Sequence, residues 1–215
     1  MYIFVADVHI RPENESDKEK FISWLEKVRS SEKKIYILGD LFEYWYTGIE
    51  KELGDVLEAL SSPDIFVLPG NRDFLITHYR NKNIHIIDKE ESVIDVYGQK
   101  VLIAHGHTLT TGDTGFKILH MWGWPILKAF DQILPLKIKF LCAKALVNSS
   151  ALVRPPTADI PVETVLKKKV DKVICGHLHK GFLSEKLIVL PSFLDDMAWM
   201  EFEEKGPKFV KFSSP

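Results

Sequence analysis

The chain has 215 residues, of which 46% are hydrophobic and 27% are charged, and its formal net charge is −2. This length suits one domain with a substantial core, and the composition excludes a disordered chain. The small net charge gives no general argument for nucleic-acid binding, and no apolar stretch approaches the ~20 residues that span a bilayer. The presence of only two cysteines, Cys142 and Cys175, and the lack of a secretory signal before the first predicted strand favour a cytoplasmic protein without a disulfide framework.

Short apolar runs alternate with amphipathic segments over the N-terminal third. Runs at residues 2–6, 35–38 and 65–68 predict buried strands. The segment from Ser16 to Glu19 has the spacing of a capping box and predicts the start of a helix. Two helices are marked by apolar residues at helical spacing, namely Phe21, Trp24, Leu25 and Val28, then Leu53, Val56, Leu57 and Leu60. This alternation indicates a parallel sheet with right-handed crossovers.

Further short strands are predicted later in the chain, at residues 84–87, 92–96, 100–104, 187–190, 198–202 and 209–212. Turns are predicted at Tyr97-Gly98-Gln99 and at Lys205-Gly206-Pro207. Two sheets packed face to face, with helices outside, would use all of these elements. The predicted fold class is therefore α/β.

The segment from Phe116 to Pro156 differs from the rest. It is rich in Leu, Ile, Phe and Trp, carries a net positive charge with Asp131 as its one acid, and is broken by Pro125 and Pro135. Apolar residues between the two prolines keep helical spacing: Ile126, Leu127, Phe130, Ile133 and Leu134. We therefore predict a single domain over residues 1–215 that includes a helical, lid-like insertion at about 116–156.

Five polar clusters directly follow apolar runs that predict strands: Asp7-Val8-His9, Gly39-Asp40, Gly70-Asn71-Arg72-Asp73, His105-Gly106-His107 and Gly176-His177-Leu178-His179. The carboxyl ends of strands are where α/β folds place their chemistry. Asp, His and Asn are donors for divalent transition metals, and this set is too large for one ion and suits two. Each cluster alone is more often a turn or a helix cap, but that interpretation requires five unrelated coincidences.

In this order the clusters resemble the five signatures of the calcineurin-like metallophosphoesterases, over nearly the whole chain. The resemblance implies a four-layer α-β-β-α sandwich with a dinuclear metal centre between loops. It also implies that Asp7, His9 and His179 hold one ion, that Asn71, His105 and His177 hold the other, and that Asp40 bridges the two. Two such ions make a hydroxide available near neutral pH for attack on phosphorus and neutralise the phosphoryl oxygens. Mn²⁺ is favoured, while Fe, Co²⁺ and Zn²⁺ also suit this donor set.

Arg72 bears on the type of phosphoester. Many members of the family carry His at this position, where it is thought to protonate a leaving alkoxide, and arginine stays charged and cannot do so. Its planar fork can instead hold phosphate oxygens. A site without that acid favours a leaving group that departs without a proton, such as a phosphate monoester, so a diphosphate linkage is favoured over an alkyl diester. The alternative is a surface ion pair between Arg72 and Asp73.

The motifs around Asp40, Asn71 and His105 look like those of the UDP-2,3-diacylglucosamine pyrophosphatases of lipid A biosynthesis. Those enzymes release UMP and an acylated sugar 1-phosphate, and they too carry a helical insertion after the fourth motif, which covers the acyl chains. The resemblance implies catalytic roles for Asp40, Asn71 and Arg72. Substrate contacts are expected from Arg72, Asp113, Trp122, Lys144, Asn148 and Arg154, and an apolar groove from Trp122, Trp124, Ile126, Phe130 and Leu134. The alternative is a helical pair packed on itself and on the sandwich.

The chain departs from that subfamily in two places. His105-Gly106-His107 stands where His-Gly-Asp is usual, and the acidic pair that follows is reduced to Gly112-Asp113. Asp113 can still orient a ligand histidine, and we expect Asp73 and His107 to support the ligands without binding metal.

Three hypotheses follow. The first is a dinuclear metal-dependent hydrolase acting on UDP-2,3-diacylglucosamine, a lipid-linked sugar nucleotide, with a peripheral contact at the cytoplasmic face of the inner membrane. The second keeps the site but changes the substrate to a soluble nucleotide or a generic phosphodiester. The third is a non-catalytic scaffold. Such proteins have usually lost metal ligands, whereas the predicted set of metal ligands is complete in this chain. No nucleic acid and no obligate protein partner are expected.

Overall fold

The computed structural model describes residues 1–30, 32–110, 123–152 and 159–212, without the side chains of residues 146 and 148–152. The strands are β1 (Tyr2–Val5), β2 (Lys34–Leu38), β3 (Ile65–Leu68), β4 (His85–Ile86), β5 (Glu91–Val96), β6 (Gln99–Ala104), β7 (Lys172–Cys175), β8 (Phe182–Leu183), β9 (Leu187–Val189), β10 (Ala198–Glu203) and β11 (Gly206–Lys211). The helices are α1 (Glu15–Val28), α2 (Gly54–Ala59), α3 (Trp124–Asp131), α4 (Leu136–Leu152), α5 (Val162–Lys167) and α6 (Phe193–Asp196), and short 3₁₀ helices span Ile49–Lys51 and Phe74–His78.

The strands form two sheets. The first has the order β11-β10-β1-β2-β3-β4, and the second has the order β5-β6-β7-β9-β8. Strands β1 to β4 pair in parallel, as do β6, β7 and β9, while the pairs β5–β6, β8–β9, β1–β10 and β10–β11 are antiparallel. The predicted parallel arrangement of the first three strands is confirmed.

The central strands are apolar throughout because both of their faces are buried. In β1, Ile3 and Val5 face the helices α1 and α2, whereas Phe4 faces the second sheet. The far face of the second sheet packs against Ile160 and against Val165 of α5. The layers are therefore helix, sheet, sheet and helix, and the predicted α-β-β-α sandwich is confirmed.

Two local predictions are displaced along the chain in the structure, and a third is confirmed. The helix α1 begins at Glu15 and not within the predicted capping box, because the Asn14 side chain accepts a hydrogen bond from the Asp17 N–H at 3.3 Å and caps it earlier. The predicted turn at residues 205–207 is displaced, since β11 already begins at Gly206 and includes Pro207. Proline is tolerated there because β11 is an edge strand that needs no donor on its outer side. The hairpin turn at Tyr97-Gly98 is confirmed, with both residues at positive φ.

The described part of the insertion forms α3 and α4, with Pro125 in the first turn of α3 and Pro135 just before α4. The alternative of a helical pair packed on the sandwich is met in part, since Trp124 and Ala143 belong to the main core cluster and Asp131 is buried. Three residues of the predicted apolar stripe nevertheless face outward: Ile126, Phe130 and Ile133 are 56%, 51% and 78% exposed. Among the described helices, none combines the length and apolar character needed to cross a membrane.

Candidate metal centre

All five polar clusters lie in loops at the carboxyl ends of strands. Those after β1, β2 and β3 belong to the first sheet, and those after β6 and β7 belong to the second. Backbone hydrogen bonds join the loops, including His9 N–H to the Asp40 carbonyl at 2.9 Å and Gly176 N–H to the His105 carbonyl at 2.7 Å. The parallel pairing within each sheet thus brings residues far apart in sequence to one edge of the sandwich.

Asp7, His9 and His179 form the first group of donors. Nε2 of His9 lies 3.3 Å from Nε2 of His179, and Oδ1 of Asp7 lies 3.4 Å from the latter atom and 3.9 Å from the former. Asp7 is fully buried, and its Oδ1 has no hydrogen-bond partner among the described residues. A cation between these three atoms would satisfy a buried anionic oxygen and two ring nitrogens that otherwise face each other.

The second group surrounds His105. Its Nδ1 lies 3.0 Å from the Leu38 carbonyl, which can only accept, so this nitrogen carries the proton and Nε2 is left as a ligand. Nε2 faces Oδ1 of Asn71 at 2.8 Å and Oδ2 of Asp40 at 3.4 Å. The His177 ring centre lies 5.0 Å from that of His105. The four residues expected to surround the second ion are therefore adjacent.

The backbone at the predicted ligands is unusual. Seven non-glycine residues of the described chain have positive φ, and five of them are predicted ligands: Asp7, His9, Asp40, His177 and His179. A left-handed conformation costs a non-glycine residue about 1–3 kcal/mol and persists only where its surroundings impose it. No composition or periodicity signal indicated this feature, although Asp and His tolerate it better than most residues.

Two glycines allow the loops to approach. A Cβ added to Gly70 would lie 2.1 Å from Oδ1 of Asp40 and 2.3 Å from the Asp40 backbone nitrogen. A Cβ added to Gly176 would lie 2.5 Å from Oδ2 of Asp7, which accepts a hydrogen bond from the His177 N–H at 2.8 Å. Both carboxylates are therefore held against backbone that a larger residue would displace.

The protonation of the centre reflects its density of charge. Burial would raise the pKa of Asp40, but the adjacent His105, its hydrogen bond, His9 and the Arg72 N–H outweigh burial and hold that pKa far below its usual range. Burial would lower the pKa of His105, but Asp40 and Asp7 raise it to about 9. Burial and the charge of His105 lower the pKa of His177 to about 4. Without a cation the carboxylates thus retain a proton on His105, and metal binding would displace it.

These observations fit two divalent ions. The donors are carboxylate oxygens, an amide oxygen and imidazole nitrogens, which suit Mn²⁺, Fe, Co²⁺ or Zn²⁺. Asp7, His9 and His179 have ligand atoms within 4.8 Å of one another, as do Asp7, Asp40 and His105. Asp7 belongs to both groups and therefore lies between them, while Asp40 belongs to the group around His105.

Asp73 and His107 lie next to the predicted ligands. Asp73 is fully buried and accepts hydrogen bonds from the Gly70 N–H at 2.7 Å and the Phe42 N–H at 3.2 Å. Burial and the charge of Asp40 raise its pKa to about 6. The buried His107 has its ring centre 5.5 Å from that of His105 and 6.3 Å from that of His177. Their supporting roles remain predictions.

Arg72 does not pair with Asp73, so that alternative is wrong. Asp73 points inward to two backbone amides, while Nη1 of Arg72 donates to Oε1 of Glu43 at 3.0 Å. Oε2 of Glu43 lies 3.2 Å from Nδ1 of His9. The sequence interpretation missed Glu43, although its place three residues after Asp40 was a signal that could have been followed.

The predicted substrate contacts are the least described part. Asp113, Trp122 and Arg154 lie outside the described residues, and so does the side chain of Asn148. Lys144 is exposed on α4, with Nζ 4.7 Å from the Phe140 ring centre. Trp124 is buried and stacks on Phe74, with ring centres 4.1 Å apart, so it anchors α3 to the sandwich.

Comparison with known proteins agrees with this geometry. Residues 2–181 match the model of the calcineurin-like phosphoesterase family. A UDP-2,3-diacylglucosamine hydrolase of Enterobacter sp. (strain 638) is 30% identical over 98% of both chains. The protein of that name from Salmonella newport (strain SL254) is 31% identical over 85% of this chain and 83% of its own.

Solved structures are more distant. A phosphoesterase from E. coli aligns at 12% identity with a TM-score of 0.46, covering 98% of this chain and 92% of its own. An archaeal phosphodiesterase aligns at 13% identity with a TM-score of 0.46, covering 97% of this chain and 98% of its own. By its family match and its relatives, this chain belongs to the calcineurin-like phosphoesterase family.

Proposed function

We propose that this chain hydrolyses the diphosphate of UDP-2,3-diacylglucosamine to give UMP and 2,3-diacylglucosamine 1-phosphate. Its relatives carry the name of that hydrolase at about 30% identity along nearly the whole chain. The observation that carries the proposal is Arg72, whose backbone N–H donates to Oδ1 of Asp40 at 2.8 Å and whose guanidinium lies on Glu43. The guanidinium of Arg72 is thus a fixed positive charge next to the predicted metal ligands, at the place where we expect the diphosphate to bind.

We assign the residues as follows. Asp7, His9 and His179 would hold one ion, Asn71, His105 and His177 would hold the other, and Asp40 would be shared by both. When bound, two divalent ions supply a nucleophilic hydroxide and neutralise the charge that builds on phosphorus. Among the suitable metals we propose Mn²⁺.

Arg72 binds and orients the phosphate oxygens. A guanidinium has five N–H donors, so the contact with Glu43 leaves others for a diphosphate. Because arginine keeps its proton, it supplies charge and direction to the leaving phosphate without acting as an acid. The phosphate monoester needs no proton to depart, which favours a diphosphate over an alkyl diester.

The insertion suits the lipid end of the substrate and a membrane surface. Exposed apolar side chains on and between α3 and α4 are those of Ile126, Phe130, Ile133, Leu136, Ile138 and Leu141. Lys137 and Lys144 are exposed on α4 and can meet phosphates or anionic headgroups. We therefore propose that this insertion covers the acyl chains and that the protein works peripherally at the cytoplasmic face of the membrane. Sedimentation with anionic vesicles tests this contact, and unbound protein at low salt would contradict it.

The substrate is tested by incubating purified protein and Mn²⁺ with UDP-2,3-diacylglucosamine and measuring UMP. Release of UMP supports the proposal. Failure to release it, with turnover of a small diester or a soluble nucleotide, would instead identify a general phosphodiesterase. Metal analysis that finds no bound ion after supplementation would favour a non-catalytic scaffold.

Arg72→Ala separates substrate binding from metal binding. We expect kcat/KM for the diphosphate to fall by roughly 10²-fold, the usual effect of removing one charge-stabilising donor. The content of two ions per chain should change little, because the backbone N–H that bonds to Asp40 remains. Equal metal loss in Arg72→Ala and Asp40→Ala would contradict this separation of roles.

A further inference from the structure

Glu43 lies in the loop after β2 and is held there by the backbone. Its N–H donates to the Ile10 carbonyl at 3.0 Å, and the Ile10 N–H donates to the Leu41 carbonyl at 2.9 Å. These hydrogen bonds join the loops after β1 and β2, with Ile10 and Phe42 forming a parallel bridge. The position of the Glu43 backbone is therefore fixed relative to both His9 and Asp40.

The Glu43 carboxylate is buried, and each of its two oxygens has a side-chain neighbour, His9 for one and Arg72 for the other. Oε2 lies 3.2 Å from Nδ1 of His9, and Oε1 accepts a hydrogen bond from Nη1 of Arg72 at 3.0 Å. The guanidinium of Arg72 is a permanent cation, so its hydrogen bond gives the buried carboxylate a counter-charge. A buried carboxylate needs such partners, and it fixes their positions in turn.

The contact with His9 can be compared with the one that holds His105. There the Leu38 carbonyl accepts from Nδ1 and leaves Nε2 facing Asp40 and Asn71. Oε2 of Glu43 lies 3.2 Å from Nδ1 of His9 without hydrogen-bond geometry, so it acts as a nearby negative charge that favours a proton on Nδ1 and leaves Nε2 facing His179 and Asp7. Glu43 differs from the carbonyl in one respect, because its second oxygen holds the side chain of Arg72.

We propose that Glu43 is a positioning residue that fixes His9 for metal binding and Arg72 for phosphate binding through one carboxylate. This inference rests on the function proposed above. It predicts that binding of the ion at His9 and recognition of the phosphate are coupled. The reason is that His9 and Arg72 each contact one oxygen of the same Glu43 carboxylate, so a movement of either side chain breaks its contact. A purely structural Glu43 would affect the free energy of unfolding alone.

The test compares Glu43→Gln with Glu13→Gln. Gln keeps the shape of the side chain but removes its charge, and Glu13 is a matched control because its carboxylate accepts from the Tyr44 hydroxyl at 3.1 Å in the same region. Mn²⁺ is added to the metal-free full chain, and the EPR signal of free Mn²⁺ gives the affinity at each site. For Glu43→Gln we expect one of two affinities to fall by roughly 10–100-fold, and for Glu13→Gln we expect neither to change.

A kinetic cycle tests the link to Arg72. In the Glu43→Gln background, Arg72→Ala should lower kcat/KM clearly less than it does in the wild type, because the guanidinium is already unrestrained. The proposal is overturned if Glu43→Gln binds both ions normally, or if the two substitutions act additively. Glu43→Asp, which keeps the charge with a shorter reach, serves the same measurements if Glu43→Gln does not fold. If the wild type fails to release UMP, the proposed substrate is wrong, while the Mn²⁺ titration still tests the positioning of His9.

Discussion

The candidate metal centre and the helical insertion differ in the kind of side chain that each buries. In the centre, charged side chains are buried and the backbone is held in left-handed conformations by hydrogen bonds between loops. In the insertion, large apolar side chains are exposed, and the helices are attached through a few points, including the Trp124–Phe74 stack and the buried Asp131. Substitutions in the centre should therefore change metal binding, whereas those in the insertion should change docking or substrate binding and leave the ions in place.

The largest effect is expected for Asp40→Ala. This change removes the proposed bridging carboxylate, so both ions should bind more weakly and turnover should fall at least about 10³-fold, or about 4 kcal/mol of transition-state stabilisation. Metal content by mass spectrometry and UMP release measure the two effects. Near-normal activity would refute the assignment of the bridge.

Gly70→Ala tests whether close packing of the loops fixes Asp40. The added methyl group would meet the Asp40 carboxylate and its backbone nitrogen, neither of which can move without disturbing the centre. We expect metal affinity to fall by more than about 10-fold, which is the lower end of the loss caused by changing a residue that only orients a ligand. The control is Gly54→Ala, because no described atom lies within 4 Å of its added Cβ. Equal metal affinity in the two variants would mean that the loops adapt.

The sequence allowed candidate metal ligands to be named as individual residues because each of them follows a strand, and their roles as ligands remain predictions. Strand ends are marked by apolar runs, and parallel pairing then brings Asp7, Asp40 and Asn71 to one edge. Glu43 was missed because its spacing from Asp40 alone names no partner, and the tertiary contacts with His9 and Arg72 are what suggest a role.

The insertion was predicted less completely for a different physical reason. Helical spacing and prolines indicated α3 and α4, but periodicity describes one face without saying whether that face meets the core. Here the buried residues are Trp124, Ala143 and the polar Asp131 and Lys139, while Ile126, Phe130 and Ile133 are exposed. A pattern that treats only apolar residues as core could not have found the part of the docking that a carboxylate provides.

Asp131→Ala tests that polar docking. The carboxylate accepts hydrogen bonds from the Thr47 N–H at 3.0 Å and the Thr47 hydroxyl at 2.6 Å, and it lies 3.2 Å from Nδ1 of His78 and 3.8 Å from Nζ of Lys139. Its removal leaves the buried Lys139 without its counter-charge, and we expect a loss of about 3–5 kcal/mol in the docking of α3 and α4. Limited proteolysis should cut the insertion faster while the Mn²⁺ affinity stays near that of the wild type. The control is Gln132→Ala, at the exposed neighbouring residue. If Asp131→Ala weakened Mn²⁺ binding as much as it weakened docking, the insertion and the candidate metal centre would be coupled.

The smallest effect on stability is expected for Ile133→Ser, at the most exposed large apolar side chain of the described residues. Because the side chain gains little by burial in the free protein, the free energy of unfolding should change by less than about 0.5 kcal/mol. If this face contacts the acyl chains or the bilayer, removal of its apolar surface should raise KM for the diacylated substrate and leave the affinity for Mn²⁺ unchanged. A loss above about 1 kcal/mol in chemical denaturation would place Ile133 in packed structure after all, since burial of an apolar side chain of this size is worth about 1.5–3 kcal/mol. If both KM and stability are unchanged, the proposed role of this face in substrate binding is wrong. The exposed apolar side chains of the insertion would then be a surface feature without a part in the reaction.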